Sequence, residues 1–466
     1  MSDVPELWAS LLDRLRENED AVIVLSGERG ITGGELARLA RERGALLGAA
    51  AGAQRRRVVL CGAEPLDVLL DILGCWSAGL IPVPMRERSP TLLVEALASA
   101  VGAAAVVHEG NLVRHNQAPR EAPSAREALL LTTSGTSGVP KLVALPAASV
   151  RLNFETIGRE LAMTTGDRVL VAQPLSHVYG LIGSCLMAMA VGAQAHIFDS
   201  RTPSSILQGH IRNNGITVVQ GAPTFWRLFL GYWRGAPFPT VRLWTTASEA
   251  PGRTLIDRVG AALPEARGLL GFGMTEAGPR VSHVDVADSA VDDGCVGKPF
   301  AHIDWRVDAG ATGTTVGPLA LRGPSMFLGY LPTSVPGGPI EERYFGYDDD
   351  GWFVTSDLVA VDAQGRLLYR GRADTKVKVG DHLVNPMVVE QELLRCAGVL
   401  NARCTAESHA MLGHILVAEL VAAPGHEIDI DSVRRSCAAR LEPWLVPRTV
   451  RVVAELPTTG GGKRVR

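Results

Sequence analysis

Leu129-Leu-Leu-Thr-Thr-Ser-Gly-Thr-Ser-Gly-Val-Pro-Lys141-Leu-Val-Ala-Leu145 is an apolar run, a tip of small hydroxyl and glycine residues, one lysine, and a second apolar run. The pattern predicts a strand, a polar tip and another strand. Thr133, Ser134, Thr136 and Ser137 offer hydroxyl donors, and Gly135 and Gly138 let backbone N–H groups approach a ligand closely. With the charge of Lys141, such a tip suits the oxygens of a polyphosphate. It is not a Walker A loop, since the glycine-to-lysine spacing is wrong and Pro140 precedes the lysine. Gly135-Thr-Ser-Gly138 is also one residue short of the G-x-S-x-G elbow. Alone, the stretch fits a plain polar hairpin tip equally well, so the rest of the chain must decide.

Working outward, 466 residues with 46% hydrophobic and 20% charged content make a globular chain long enough for more than one domain. A formal charge of −3 gives no electrostatic case for nucleic acid or an anionic membrane as partner. The seven cysteines are scattered and never paired as C-x-x-C, which predicts a reducing, cytoplasmic setting without a thiolate zinc site. The first twenty residues are charged throughout and read as no secretory signal. The uncharged stretch Val178–Ala195 carries several glycines and reads as a buried core helix rather than a membrane span.

Upstream of the hairpin, helices are predicted over 5–18, 35–49 and 66–79, with strands over 56–61 and 80–84. Downstream, strands over 168–172, 194–198, 216–219, 241–245 and 268–272 alternate with helical stretches. This is the pattern of a mainly parallel α/β sheet. From about 296, short β-runs at 303–307, 318–322, 352–354, 357–361 and 366–370, divided by Gly, Pro and Asp clusters, predict an antiparallel or barrel-like subdomain. Beyond 371, helix 386–396, strands near 399–405 and 413–421, helix 429–440 and a strand near 448–454 predict a small α+β domain. The expected division is a large domain, 1–371, and a mobile lid, 372–466.

Four further constellations carry chemistry. Gly271-Phe-Gly-Met-Thr-Glu276 follows a predicted strand end, with Phe272 flat enough to stack on a base, Thr275 a hydroxyl, and Glu276 a carboxylate for Mg²⁺. Asp357, after an aromatic strand, could hold ribose hydroxyls. Arg372, Asp374, Lys376 and Lys378 cluster ahead of Gly380 at the domain boundary. Leu456-Pro-Thr-Thr-Gly-Gly-Gly-Lys463 closes the chain. Taken singly, each would pass for a turn or a solvated face, yet the five occur together in this order.

In that order they resemble the adenylate-forming superfamily of acyl- and aryl-CoA ligases, peptide adenylation domains and firefly-type luciferases, over nearly the whole chain. Thr133–Lys141 is similar to the phosphate-loop signature T/S-S-G-T-T/S-G-x-P-K. Pro174-Leu-Ser-His177-Val-Tyr-Gly180 resembles the P-x-x-H-x-x-G segment bordering the acyl pocket, Phe272–Glu276 the Y/F-G-x-T-E motif, and Leu456–Arg466 the terminal L-P-x-T-x-x-G-K-x-x-R signature. The resemblance implies ATP-dependent adenylation of a carboxylic acid with release of pyrophosphate, then transfer to a thiol of CoA or of a carrier protein's phosphopantetheine. It implies that Lys463 bridges carboxylate and α-phosphate, aided by Thr275, Glu276 and His177. Thr133 to Gly138 and Lys141 would hold phosphates, Phe272 adenine and Asp357 the ribose, with Arg372 binding cofactor at the hinge segment and Lys378 and Gly380 forming the thiol tunnel. Rotation about Asp374 would exchange the two half-reactions.

The chain departs from the pattern at Leu142, Ser356, Pro318 and Thr375, none of which removes a catalytic side chain. An acyl pocket of His177, Val178, Tyr179, Gly221, Ala222, Ala247, Gly271 and Gly273, with Trp226 nearby, is expected to take a flat aryl or short apolar acid. The amine-pairing aspartate of amino-acid-activating relatives is missing. An amide- or ester-forming ligase and a non-catalytic nucleotide-binding regulator stay open as alternatives.

Overall fold

The computed structural model describes residues 4–52, 57–115, 124–133, 141–248, 251–308, 316–331, 346–373, 377–379, 382–384, 386–409, 413–441 and 443–457. Ser134, Gly135, Thr136, Ser137, Gly138, Asp374, Gly380 and Lys463 lie outside these residues, as does the side chain of Lys378.

The architecture is mixed α/β, with a large N-terminal domain and a small C-terminal one. The dominant feature is a thirteen-stranded sheet. Its parallel part runs Arg267–Phe272, Leu243–Ala247, Val218–Gln220, Arg168–Val171, Gln194–Ile197 and Val22–Ser26, each strand hydrogen-bonded to the next. These strands are buried almost end to end, so they read as Val- and Leu-rich runs rather than as alternation. Toward the other edge, Ser282–Asp285, Cys295–Pro299, Leu367–Arg372, Phe353–Val361, Gly317–Arg322 and Asp304–Val307 are antiparallel; the last four match the Gly- and Pro-divided runs, and the first two have no counterpart in the sequence reading. They continue the same sheet. The two short runs expected at 352–354 and 357–361 are one strand, bent by an irregular register between Asp357 and Val359.

Two smaller sheets complete the large domain. The strands Ile81–Pro84, Arg57–Cys61, Ala105–His108 and Asn111–Arg114 form one. The opening hairpin forms the other: Glu127–Thr133 pairs antiparallel with Lys141–Pro146, and Gly329–Leu331 adds a third strand. The hairpin is anchored at its base. Arg57 donates to both carboxylate oxygens of buried Glu127, at 2.9 and 2.7 Å, and Trp76 Nε1 donates to the Ala128 carbonyl at 2.8 Å. A bidentate buried pair fixes direction as well as distance, so the base of the hairpin is held in one orientation.

The stretch after His177 is a buried helix whose middle, Leu181–Leu186, widens into a π-turn. Among the described residues, no helix is long and apolar enough to cross a membrane. The seven cysteines are free and buried. The small domain has its own core, built from helices Pro386–Leu394 and Ile430–Arg440 on strands Val399–His409, Gly413–Ala422 and Thr449–Val452.

Candidate active site

Four neighbouring parallel strands deliver the predicted residues to one place. The carboxyl ends of Arg168–Val171, Val218–Gln220, Leu243–Ala247 and Arg267–Phe272 lead into His177, Gly221 and Ala222, Ala247, and Gly271 to Glu276 respectively. Ligand sites in α/β sheets form at such ends, because loops there can reach across without breaking the ladder.

At the nucleotide side, Thr275-Glu276-Ala277 makes a single 3₁₀ turn. The Phe327 N–H donates to the Glu276 carbonyl at 2.8 Å, and the Tyr330 hydroxyl donates to Glu276 Oε1 at 2.5 Å. Tyr330 lies on the strand that flanks the opening hairpin, in register with Val143, and Lys141 Nζ sits 4.7 Å from its ring centroid. One tyrosine therefore couples the hairpin lysine to the motif carboxylate. Burial and the neighbouring Glu276 push the Tyr330 phenol far above its ordinary value, which keeps it a donor. Thr133 is directly opposite Lys141 across the hairpin.

The second nucleotide-side cluster joins Phe272, Tyr369, Asp357 and Arg372. The Phe272 and Tyr369 rings lie 5.8 Å apart. Asp357 Oδ1 accepts from the Tyr369 hydroxyl and from Arg372 Nη1, both at 3.4 Å. Asp357 and Arg372 are cross-strand partners. Tyr330 and Tyr369 are the aromatic members that sequence reading missed. Each lies in a short apolar strand with no local motif, and only strand pairing brings it to the site.

On the acyl side, the Tyr179 hydroxyl and Thr245 Oγ1 share a 2.6 Å hydrogen bond, and Ala247 is in register with Gly271. His177 caps the turn that follows it, with Nδ1 accepting from the Tyr179 N–H at 3.3 Å. Two glycines expected in the pocket, and Trp226 expected nearby, have packing roles. A Cβ on Gly221 would come within 2.1 Å of the Phe225 ring, and one on Gly273 within 2.0 Å of the Pro279 carbonyl, so close packing already requires both glycines. Trp226 is buried in an aromatic core with Phe225, Phe229 and Trp244, with Nε1 donating to the Thr245 carbonyl. Arg280, which sequence reading overlooked, approaches Gly271 from just ahead of the strand Ser282–Asp285.

The "AMP-binding enzyme" family model matches residues 11–331, and the "AMP-binding enzyme C-terminal domain" model matches residues 388–463. The chain belongs to the AMP-binding enzyme family. As a member of this adenylate-forming superfamily, it is an ATP-dependent carboxylate-activating ligase. Feruloyl-CoA synthase from Amycolatopsis sp is 27% identical, over 97% of this chain and 95% of its own. Sulfoacetate–CoA ligase from Cupriavidus necator is 30% identical, over 72% of this chain and 65% of its own. A benzoate CoA ligase from Burkholderia xenovorans shares the fold with a TM-score of 0.83 at 21% identity, covering 98% of both chains.

Proposed function

We propose that the two clusters hold ATP for attack by a carboxylate bound beside Tyr179, Ala247 and Gly271. The observation that carries this reading is the Lys141–Tyr330–Glu276 contact, in which one tyrosine meets a cation suited to phosphate and a carboxylate suited to a metal ion. Lys141 and the hydroxyls from Thr133 to Ser137 would grip the β- and γ-phosphates. Phe272 would stack on adenine, Asp357 and Arg372 would orient the ribose, and Thr275 would donate to the α-phosphate.

The Glu276 carboxylate suits Mg²⁺, which is commonly held by one or two carboxylates together with substrate phosphates. Among the described residues no cluster of three or more His, Cys, Asp or Glu side chains forms, so phosphate oxygens and water would complete the ion's shell. Bound Mg²⁺ would neutralise charge on the pyrophosphate leaving group.

Bringing two anions together is the main barrier, so positive charge and positioning are the tasks of the protein. Lys463 would supply the charge between carboxylate and α-phosphate. The lid, 372–466, would then turn about Asp374, and Lys378 and Gly380 would line the approach of a CoA or carrier-protein thiol. His177 would border the acyl pocket, its ring held by the cap to Tyr179. The relatives act, by their names, on different acids. They therefore support a carboxylic acid as substrate and leave its remainder to the pocket.

Acid-dependent ATP–pyrophosphate exchange over a panel of carboxylic acids tests the reading. Exchange with at least one acid, and a thioester on adding CoA, is the expected result. No exchange with any acid would favour the nucleotide-binding regulator. Exchange without thioester would point to a carrier protein or an amine as acceptor.

A further inference from the structure

Among the described residues, Arg280 is the one Lys or Arg in the buried set, at 2% exposure. Three other guanidiniums that reach inward meet carboxylates: Arg57 meets Glu127, Arg242 meets Asp167 and Arg43 meets Asp71. Among the described residues, neither Nη1 nor Nη2 of Arg280 has a hydrogen-bond partner by distance and angle. The guanidinium faces Tyr179, whose ring centroid is 5.8 Å away; its hydroxyl bonds Thr245 and is a polar neighbour of Arg280, but burial raises the phenol, so it stays neutral and is no counter-ion. His283, cross-strand from Gly271, is no counter-ion: burial and the adjacent Arg280 pull its imidazole down to about 4, so it is neutral near pH 7.

The place of this guanidinium is as informative as its isolation. A Cβ added to Gly271 would lie 3.3 Å from Arg280 Nε, 3.4 Å from its Cζ and 3.5 Å from Ala247 Cβ. Gly271, Ala247 and Tyr179 are the residues that frame the acyl pocket, and the guanidinium lies among them. The segment is seated by glycines. Gly273 admits the Pro279 carbonyl and the Arg280 backbone, and Gly183 admits the Pro279 ring, which would be 3.2 Å from an added Cβ. A buried, uncompensated cation is strongly unfavourable unless a partner arrives to pair with it.

We propose that Arg280 binds a second anionic group of the acid substrate, a carboxylate or sulfonate at the far end from the carboxylate that is adenylated. This rests on the proposed acyl pocket and narrows what it takes. The small residues alone suggested an apolar acid, but an apolar acid would bury the guanidinium without a partner. A dianionic acid completes the ion pair and presents its other carboxylate toward the nucleotide side. Since the site is built for an anion, an analogue with a neutral amide there leaves the guanidinium uncompensated and is rejected.

The full-length protein should be assayed by ATP–pyrophosphate exchange on matched pairs: succinate against succinamate, terephthalate against 4-carbamoylbenzoate, and 3-sulfopropionate against butyrate. The wild type should favour the dianionic member of at least one pair by about 100-fold or more in kcat/KM. Arg280→Met should collapse that preference to within about threefold, through KM for the dianionic acid, and Arg280→Lys should retain part of it. Thermal shift reads binding independently of turnover. The preferred dianion should raise the wild-type Tm, its amide should not, and Arg280→Met should abolish the rise.

Equal or better use of the neutral members by the wild type would overturn the proposal while leaving the ligase reading intact. An Arg280→Met loss that is the same for both members would also overturn it, since a general structural role predicts that result. A dianion-specific thermal shift lost in Arg280→Met, without exchange on any acid, would keep the anion site and sink the adenylation reading.

Discussion

The two ends of the site treat charge in opposite ways. At the nucleotide end the described charges are already engaged: Glu276 by Tyr330, Lys141 by the face of the same ring, and Asp357 by Tyr369 and Arg372. At the acyl end a buried guanidinium has no counter-ion among the described residues. The nucleotide end meets the same phosphates and ribose at each turnover, so its side chains can be held in place by one another and need little reorganisation. The acyl end has to discriminate between acids, and a pair completed only by the right ligand discriminates strongly because its failure leaves a buried charge uncompensated.

Variants can break or sharpen this contrast. The largest effect is expected from Lys463→Ala, which should lower ATP–pyrophosphate exchange by about 1,000-fold or more with any acid. It should leave thioester formation from supplied acyl adenylate largely intact. An equal fall in both half-reactions would show that the lid does not alternate between them.

Next comes stability. Arg57→Met leaves the buried Glu127 carboxylate without its partner and should cost about 3 kcal/mol in urea melts. Arg280→Met removes a charge that has no counter-ion and should leave stability unchanged or raise it. If both variants lost stability alike, Arg280 would be a structural residue.

Tyr330→Phe keeps the ring beneath Lys141 and deletes the bond to Glu276. Exchange should fall by about tenfold and the Mg²⁺ requirement should rise, by the same factor for every acid. A change in acid preference would mean that the two ends are coupled.

An effect away from the site concerns a buried carboxylate. Burial raises Asp71 to about 7, against partial support from Arg43, which lies 3.1 Å away. Its folded value lies above its unfolded one, so the folded protein binds the extra proton and stability falls as pH rises from about 4 to 7. Asp71→Asn should flatten that segment of the stability–pH curve, by on the order of 2 kcal/mol between its ends. Chemical melts at about pH 4 and pH 8 on both proteins measure it. A wild-type curve already flat there would place Asp71 in a wetter setting.

Much of the fold is legible in the sequence, for identifiable reasons. Helix 33–51 was recognisable from its periodic leucines, and its start at Thr32, whose hydroxyl accepts from the Glu35 N–H at 3.3 Å, follows ordinary capping chemistry. The parallel strands were visible as apolar runs because both of their faces are covered. The exception is Val22–Ser26, a clear apolar run that the sequence reading does not include; helix Ala147–Glu160 and the short strand Arg29–Thr32 have weaker local patterns and are stabilised by partners elsewhere.

Sequence alone determined the chemistry common to the family. The hydroxyl and glycine tip, the aromatic-to-glutamate motif, the lone aspartate and the terminal lysine are residue types in fixed order, and each needs only local backbone to be recognised. Tertiary structure decided what the described members of that set meet. Tyr330 reaches Glu276 across 54 positions of sequence, through strand pairing that no local pattern encodes. It also separated glycines that make room for Phe225 and Pro279 from one that lies against a guanidinium. Whether a charge such as Arg280 has a partner depends on every element packed around it, and only the folded chain answers that.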